Sequence, residues 1–374
     1  MNHNNLPGDC NINNTWNLSR YNDVAQAILW SRTEDILFTI GLPVIFCVGV
    51  VGNLSFLFAL LRVPAMRTVT NAYLANVAAA DLWFITWTFC LYLPIYYISP
   101  VRNDVPWTSN IGCGIVLGFS YLGYYASVML ITIVTAERYF AICRPFQHRM
   151  IAGKKHTLQM IYFSWITAII LFAITLPSWS SIVMRCIIWP DTETYRDFPT
   201  QIWQCSGNSP ASPNFKVFVI GEIIGAVLFY IIVPVNIFMY GSIIYTLSKR
   251  TETFADKQKT ELATRTRNQV ARLLIVNGSV FLLCQAPYRV INIHYFTLLA
   301  TGQGLLSLKN YGIIILTSRL LVLLNSCCNP FIYLTTSSFY RKAFREAFCG
   351  KISDPGGSSR ISGISGRSKE SNVA

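Results

Sequence analysis

The sequence predicts an all-α membrane protein, a bundle of seven transmembrane helices, on three observations. Hydrophobic residues make up 53% of the 374 residues and charged residues only 13%, about half of the share typical of soluble domains. Seven mostly apolar runs are each long enough to cross about 30 Å of hydrocarbon. Lysine and arginine cluster in alternate connections between these runs. The composition excludes a disordered chain and most soluble enzymes.

The apolar runs define the spans in chain order. They cover residues 36–61, 71–98, 111–143, 158–179, 215–247, 270–299 and 311–334. Prolines fall in six of the seven, and transmembrane helices tolerate them because neighbouring helices satisfy the freed backbone groups. The prolines are Pro43, Pro94, Pro177, Pro234, Pro287 and Pro330. We expect an extracellular N-terminus (1–34), a seven-helix transmembrane domain (35–335), an amphipathic eighth helix (336–350) and a disordered cytoplasmic tail (351–374).

The distribution of charge predicts the orientation. The connections after the first, third and fifth spans and the tail are rich in lysine and arginine, whereas the opposite side is rich in acidic residues. The positive-inside rule therefore places the N-terminus outside and the C-terminus inside. The net charge of +13 is then a signal of topology and of attraction to an anionic lipid bilayer, and not of nucleic-acid binding.

The N-terminal segment has the features of an extracellular one. Two sequons begin at Asn13 and Asn17 and predict N-glycosylation. Residues 1–34 contain no apolar run, so we expect no cleaved signal peptide and assign insertion to the first span.

Four of the eleven cysteines lie in predicted outer segments, where an oxidising environment permits disulfides. We pair Cys113 with Cys205, which would tie the long loop after the fourth span over the mouth of the bundle. Cys186 lies too close to the end of the fourth span to be the first choice. A bond between Cys10 and Cys186 stays open as an alternative.

Polar groups inside the spans are costly in hydrocarbon, so their positions are informative, although each alone could simply join helices. The short motifs that contain or accompany these groups follow one another along the spans. In chain order they are Gly52-Asn53, Leu74-Ala75-Asn76 with Asp81, Cys113, Glu137-Arg138-Tyr139, Trp165, Pro234, Cys284-Gln285-Ala286-Pro287 and Asn329-Pro330-Phe331-Ile332-Tyr333. This series, with one set per span over residues 36–349, resembles the rhodopsin-like (class A) G-protein-coupled receptors.

The resemblance implies roles for the inner half of the bundle, with a heterotrimeric G protein and arrestin as partners. Arg138 would pair with Glu137 at rest and meet the G protein when the cytoplasmic end opens. The implied coupling and switch residues are Glu137, Arg138, Tyr139, Phe281, Gln285, Asn329, Pro330 and Tyr333. An allosteric Na⁺ site is implied at Asp81, Ser127, Asn325 and Asn329, and no other cofactor is expected.

The chain also resembles the family beyond the seventh span and departs from it at two points. Residues 338–349 are similar to the membrane-lying eighth helix, with Cys349 as a palmitoylation site. Gln285 stands where the family usually has tryptophan. Pro234 precedes Tyr240 by six residues, where the family usually has eight. Both departures concern the agonist switch and not the fold.

Two positions exclude ligand classes. Ser120 stands where the amine receptors of this family carry an aspartate, so an aminergic ligand is not expected. Leu323 stands where opsins carry the lysine that binds retinal, which excludes retinal.

The remaining pocket positions are aromatic and cationic, and resemble those of the thyrotropin-releasing-hormone receptors, although Tyr125 stands where those receptors have asparagine. Guanidinium groups suit an amide carbonyl or a carboxylate of a short peptide. The predicted ligand contacts are Tyr121, Tyr125, Glu222, Tyr288, Arg289, Asn292 and Arg319. Tyr124 is expected to pack in the core, on a different face from Tyr121 and Tyr125.

Other interpretations of these residues remain. Arg289 and Arg319 could extend to the membrane surface, or one could neutralise Glu222. Glu222 could instead bind a basic ligand residue. The leading hypothesis is a plasma-membrane receptor for a short, C-terminally amidated neuropeptide that couples to Gq, phospholipase C and calcium release.

Alternative functions follow from the same residues. Receptors for neuromedin-U-, neurotensin- or FMRFamide-like peptides would share this pocket chemistry. A seven-helix transporter would usually carry internal repeats, which the sequence lacks. An enzyme is not expected, since no metal-ligand cluster, nucleophile elbow or phosphate loop is present in the sequence.

Overall fold

The computed structural model describes residues 10–12, 14–205, 215–253, 258–300 and 311–350. The short outer elements are strand β1 (Thr15–Asn17), helix α1 (Asn22–Ala27), and strands β2 (Ile182–Ile188) and β3 (Gln201–Cys205). The other helices are α2 (Arg32–Ile36), α3 (Leu42–Arg62), α4 (Val69–Ile98), α5 (Asn110–Cys143), α6 (Pro145–Ile151), α7 (Lys154–Trp179), α8 (Phe215–Thr253), α9 (Gln258–Ala300), α10 (Tyr311–Thr336) and α11 (Ser338–Cys349). Asn13 and the tail at 351–374 lie outside the described residues.

The long helices form a closed ring in the order α3, α4, α5, α7, α8, α9, α10 and back to α3, with α5 also touching α9. A π-helical turn (Leu37–Gly41) joins α2 to α3, so the first span is continuous from residue 32 to 62. Within the described residues, six of the seven helices combine the length and apolar composition needed to cross a membrane. The predicted seven-helix bundle is confirmed.

The predicted span ends differ from the helix ends at the cytoplasmic side. α8 continues to Thr253 and α9 begins at Gln258, beyond the predicted limits at residues 247 and 270. The extra residues are polar but include good helix formers, so helix continues where apolar composition stops. All six prolines lie inside their spans, and Pro43 follows the π-helical turn that joins α2 to α3, where a local change of helical pitch accommodates it.

Short polar side chains begin several helices. Ser31 and Glu34 form a reciprocal capping box at α2, in which the Ser31 backbone N–H donates to Glu34 Oε2 at 2.8 Å. Thr68 caps α4, and Ser109 caps α5 by accepting from the Gly112 N–H at 3.0 Å. These caps satisfy donors that the first helical turn leaves without partners.

The outer surface of the bundle is apolar, as contact with lipid requires. Large hydrophobic side chains such as Val51, Tyr162, Ile166 and Phe238 are at least half exposed in the isolated chain. Exposed apolar area of this extent is unusual for a soluble monomer and is expected where hydrocarbon replaces water.

A small sheet lies over the outer end of the bundle. β2 pairs antiparallel with β3, and β1 pairs parallel with β2. A disulfide joins Cys113 at the start of α5 to Cys205, as predicted, and a second joins Cys10 to Cys186. The second bond is the alternative that the sequence left open, and the strand β1 that it holds was not predicted.

We expect Gly123→Ala to destabilise the bundle by about 1–3 kcal/mol, since an added methyl group overpacks a close helix contact. A Cβ atom there would lie 2.7 Å from the Ala80 carbonyl oxygen and 2.8 Å from the Phe84 nitrogen, both in the backbone of α4. Thermal unfolding of detergent-solubilised protein would measure the loss. Gly241→Ala is the matched control, because nothing lies within 4 Å of its added Cβ. Equal unfolding temperatures for both variants would contradict the expected crowding.

Candidate functional site

A cavity opens in the outer half of the bundle, between α4, α5, α7, α9 and α10. Its volume is about 80 Å³. The lining residues are Phe84, Thr88, Leu91, Tyr92, Leu117, Ser120, Tyr121, Tyr124, Trp179, Gln285, Tyr288, Arg289, Arg319, Val322 and Leu323. Aromatic rings and two arginines dominate this lining, and the described residues around it include no Asp or Glu.

Arg319 enters the cavity from α10 and is held by tyrosines. Its Nη1 donates to the Tyr92 hydroxyl at 2.7 Å, and its guanidinium carbon lies 5.9 Å from the centre of that ring. The centre of the Tyr288 ring lies 5.8 Å from the same carbon. Arg319 therefore points into the bundle, and the alternative in which it extends to the membrane surface is wrong. Tyr92 was not among the predicted site residues.

Arg289 enters the same cavity from α9 and is almost completely buried, with 4% of its surface exposed. Its Nη2 donates to the Tyr124 hydroxyl at 2.7 Å, and its guanidinium carbon lies 5.3 Å from the centre of the Tyr124 ring. Contacts between guanidinium and aromatic faces stabilise a desolvated cation. Within the described residues Arg289 makes no direct ion pair with Glu222, but the charges of Arg289 and Arg319 both act on the Glu222 carboxylate through space, in line with the alternative in which an arginine neutralises it.

For two of the three tyrosines of α5, the contact with the cavity differs from what the sequence predicted. Tyr121 stacks on Trp179 with ring centres 4.9 Å apart, and its hydroxyl oxygen lies 3.5 Å from that of Tyr288. Tyr124 packs in the core as expected, but it also lines the cavity, and its hydroxyl accepts from Arg289. Tyr125 is buried but does not line the cavity, and its hydroxyl approaches Gly225 of α8 instead.

Glu222 and Asn292 form a separate polar pair between α8 and α9. The Asn292 Nδ2 donates to Glu222 Oε2 at 3.2 Å. Neither residue lines the cavity, although both were predicted as ligand contacts. The structure therefore brings together four of the seven predicted contacts, namely Tyr121, Tyr288, Arg289 and Arg319.

The sheet and its connections pack over the outer end. The side chains Leu18, Ala25, Val101, Ile187, Tyr195 and Ile202 form one buried cluster there. Asp104 accepts from the Trp203 N–H at 3.0 Å and so fixes β3 to the loop before α5. Burial raises the pKa of the Asp104 carboxyl, and the hydrogen bonds to that carboxylate oppose the rise. Glu34 and Arg102 form an ion pair at 2.7 Å beside this cluster.

A second polar cluster lies deeper, around the fully buried Asp81. Its carboxylate accepts from Ser127 Oγ at 3.0 Å and from Asn329 Nδ2 at 2.5 Å, and Ser326 is a further hydrogen-bond partner. Asn325 is buried in the same region of α10. No described cationic side chain pairs with Asp81. The buried carboxylate and the hydroxyl oxygens of Ser127 and Ser326 are donors that suit a small hard cation, whereas Asn329 presents its amide nitrogen to the carboxylate.

At the cytoplasmic end Glu137 is the centre of a polar cluster, in which it pairs with Arg138 and contacts His148. Its Oε2 lies 2.5 Å from Arg138 Nε, and its Oε1 lies 3.1 Å from His148 Nε2 on the short helix α6. The pairing of Glu137 with Arg138 is the resting arrangement that the resemblance implies. His148 as an additional partner was not predicted. Tyr139 lies beside this cluster and contacts Phe238 of α8, with ring centres 6.0 Å apart.

The remaining inner residues pack in the core. Phe281 is 4% exposed, and Tyr333 is 1% exposed with its ring 5.1 Å from that of Phe56. Pro330 packs against Gly52 of α3, where an added Cβ would lie 3.3 Å from the proline Cγ. The hydroxyl of Tyr240 meets Thr135 Oγ1 at 3.0 Å.

The amphipathic helix α11 lies after the seventh span, as expected. Its Tyr340 hydroxyl donates to Asn71 Oδ1 at 2.5 Å, which ties α11 to the start of α4. Burial raises the pKa of the Tyr340 hydroxyl. Phe348 and Cys349 are exposed at the end of α11, while Asn17 is exposed in β1 at the other end of the molecule.

Comparison with known proteins identifies the fold and its class. Residues 52–333 match the 7 transmembrane receptor (rhodopsin family). The chain is 29% identical over 334 residues to the human (Homo sapiens) thyrotropin-releasing hormone receptor, covering 82% of this chain and 77% of that one. It is 28% identical over 334 residues to the Gallus gallus thyrotropin-releasing hormone receptor, covering 82% and 78%. It is 27% identical over 309 residues to Mus musculus neuromedin-U receptor 2, covering 81% and 72%.

The family match and the geometry agree. The matched residues 52–333 contain most of the seven-helix bundle, the arginine-lined cavity and the Glu137–Arg138 pair. Membrane-spanning helices and this family match indicate a receptor rather than an enzyme. The chain therefore belongs to the rhodopsin family of seven-transmembrane receptors, and is a multi-pass receptor of the plasma membrane.

Proposed function

We propose that this protein is a receptor for a short, C-terminally amidated neuropeptide. The observation that carries the proposal is the pair of arginines in the outer cavity, the buried Arg289 and the partly buried Arg319, each held by a tyrosine hydroxyl. Guanidinium groups donate to carbonyl or carboxylate oxygens in a forked geometry, which suits a peptide terminus. Tyr121 and Tyr288 add apolar surface with a hydroxyl, which suits peptide side chains.

The size of the cavity supports binding of one end of a peptide rather than its whole length. A volume of about 80 Å³ leaves room for only a few water-sized groups. The remainder of the ligand would then contact the sheet above the cavity. The names of the relatives, a thyrotropin-releasing hormone receptor and a neuromedin-U receptor, support a peptide ligand for this chain too.

A different peptide class is the second candidate. Similarity to the neuromedin-U receptor is almost as high as to the thyrotropin-releasing hormone receptor, at 27% against 29% identity. Tyr125 faces α8 rather than the cavity, so a predicted contact of the hormone-like pocket is absent from the lining. Neurotensin- and FMRFamide-like peptides are further candidates, and the panel of test peptides includes them.

We infer that signalling follows the family pattern, with coupling to Gq, phospholipase C and calcium release, and with arrestin as a further partner. Separation of Arg138 from Glu137 would free the arginine for a G protein. Asp81, Ser127, Asn325 and Asn329 would hold an allosteric Na⁺, which would neutralise the buried carboxylate and favour the resting form.

The flanking segments have proposed roles as well. Residues 1–34 would be extracellular and glycosylated at Asn13 and Asn17, residues 336–350 would lie on the inner membrane surface, and the tail at 351–374 would be cytoplasmic. Cys349 would be palmitoylated, since it is exposed at the end of the amphipathic helix.

The test is calcium release in transfected cells exposed to a panel of short amidated peptides, with wild type and Arg319→Ala compared. We expect at least one peptide to activate wild type, and Arg319→Ala to raise its half-maximal concentration at least tenfold. Loss of a charged hydrogen bond to a ligand costs about 1.5–3 kcal/mol, and about 1.4 kcal/mol is tenfold in affinity.

Two measurements make that test decisive. Surface staining of an epitope-tagged receptor must be equal for wild type and Arg319→Ala, so that a lost response can be attributed to lost peptide binding and not to lost expression. A co-expressed G protein that couples to most receptors must restore calcium signalling if the natural coupling is different. Silence of wild type across the panel under both conditions would exclude a short amidated peptide as the ligand.

A further inference from the structure

Arg319 is the arginine of the outer cavity whose N–H groups can reach a ligand. Arg289 is only 4% exposed, and its Nε is buried. Arg319 lines the same cavity and is partly exposed there. Within the described part of the chain, no nitrogen of Arg319 is both buried and without a hydrogen-bond partner. A guanidinium carries five N–H groups, so those that the protein leaves unbonded are open to the cavity.

The Tyr92 hydroxyl of α4 holds that guanidinium in place. Arg319 Nη1 donates to it at 2.7 Å, and the guanidinium carbon lies 5.9 Å from the centre of the Tyr92 ring. Tyr288 of α9 is a second hydrogen-bond partner of Arg319. An arginine side chain has a large rotamer entropy, and two partners on two different helices reduce the number of rotamers that it can adopt.

Tyr92 is itself fixed by packing. The centre of its ring lies 6.1 Å from that of Phe38, in the π-helical turn of the first span. The ring also packs against a buried cluster that includes Leu316 and Leu320 of α10. A group that orients a binding residue has to be held by its own neighbours, and Tyr92 meets that condition.

We propose that Tyr92 is a positioning residue for the peptide ligand, whose hydroxyl orients the Arg319 guanidinium so that its free N–H groups meet an oxygen of the ligand. The inference rests on the proposed function, because it explains how one arginine of that site is oriented. Tyr92 acts through Arg319 and not by a hydrogen bond of its own to the ligand. A guanidinium that is already oriented loses less rotamer freedom on binding, so more of the interaction energy is retained as affinity.

The experiment is a double-mutant cycle, measured by competition binding on membranes from transfected cells with the tightest-binding peptide of the panel. It compares wild type, Tyr92→Phe, Arg319→Ala and the double variant. Tyr92→Phe removes the hydroxyl and keeps the ring, and we expect it to weaken binding about three- to tenfold, the range of one hydrogen bond. In the Arg319→Ala background the same substitution should weaken binding less than about twofold, because no guanidinium is left to orient.

Tyr96→Phe is the matched control. Tyr96 lies one turn further along α4, and its hydroxyl lies 3.3 Å from Asp35 Oδ1. It does not line the cavity within the part of the chain that the structure describes. The same loss of a hydroxyl should therefore leave the affinity for the peptide at the wild-type value. Surface staining must be equal for all variants, so that lower binding is not caused by lower expression.

The outcomes separate the two proposals. An equal weakening by Tyr92→Phe with and without Arg319 would overturn the positioning role, because Tyr92 would then act on the ligand or on the fold independently of the arginine. Wild-type affinity in Tyr92→Phe would overturn it too, and both results leave the peptide receptor intact. If no peptide binds wild type, the proposed function fails and this inference fails with it.

Discussion

Replacing Glu137 by glutamine is expected to raise agonist-independent signalling on the order of tenfold. The substitution removes the charge that pairs Glu137 with Arg138 at 2.5 Å and with His148 at 3.1 Å. A hydrogen bond to a charged group contributes about 1.5–3 kcal/mol, and partial exposure of both partners, 18% and 12%, places this pair at the lower end. Because the pair stabilises the proposed resting form, its loss should shift the population toward the open form by about that amount.

The measurement is basal second-messenger production, normalised to receptor at the cell surface. His148→Phe is the graded control, since it keeps a ring on α6 and removes only one of the two partners of Glu137. We expect that variant to raise basal signalling about two- to threefold. Basal signalling equal to wild type in Glu137→Gln, at equal surface density, would show that the polar cluster does not hold the resting form.

The disulfide between Cys113 and Cys205 is expected to be essential for folding, and the one between Cys10 and Cys186 is not. Loop-closure entropy alone predicts that the Cys10–Cys186 bond stabilises the fold more. That bond closes a loop of 176 residues, whereas the Cys113–Cys205 bond closes one of 92. However, a doubling of loop length changes the closure entropy by only about 0.6 kcal/mol. The first bond joins α5 to the hairpin over the cavity, whereas the second holds only the short segment that leads into β1.

We therefore expect Cys113→Ser to lose about 2–5 kcal/mol and most of its surface receptor. Cys10→Ser should keep normal surface density and lose only the anchoring of β1. Surface staining measures the first effect, and limited proteolysis near residue 20 measures the second. Similar surface density for both variants would mean that the packing of the hairpin, and not the covalent bond, holds the outer loop.

The helical bundle could be predicted from the sequence because each span has its own local signal, but the position of the cavity could not. On α5 the residues Leu117, Ser120, Tyr121 and Tyr124 face the cavity, and Tyr125 turns away from it. At about 100° per residue, Tyr124 and Tyr125 lie on opposite sides of Tyr121. Sequence alone does not tell which side faces the cavity, since that depends on how α5 packs against its neighbours.

Contacts between distant segments were the other unpredicted part of the site. Tyr92 meets Arg319 across 227 positions of sequence, and His148 reaches Glu137 only because the short helix α6 turns back. β1 is three residues long and depends on pairing with β2, so no local pattern marks it. In contrast, the proximity of Asp81 and Ser127 was predicted, because the family that the chain resembles places these two positions in one site.

The sheet over the cavity has a consequence for the energy of binding. β2 and β3 are paired with each other, bonded to α5 through Cys205 and to the N-terminal segment through Cys186, before any ligand arrives. Immobilising a single flexible side chain at an interface costs about 0.5–1.5 kcal/mol, and ordering a loop costs more. This preorganised surface loses little conformational freedom on binding, so a small ligand with few contacts can still retain most of its interaction energy as affinity.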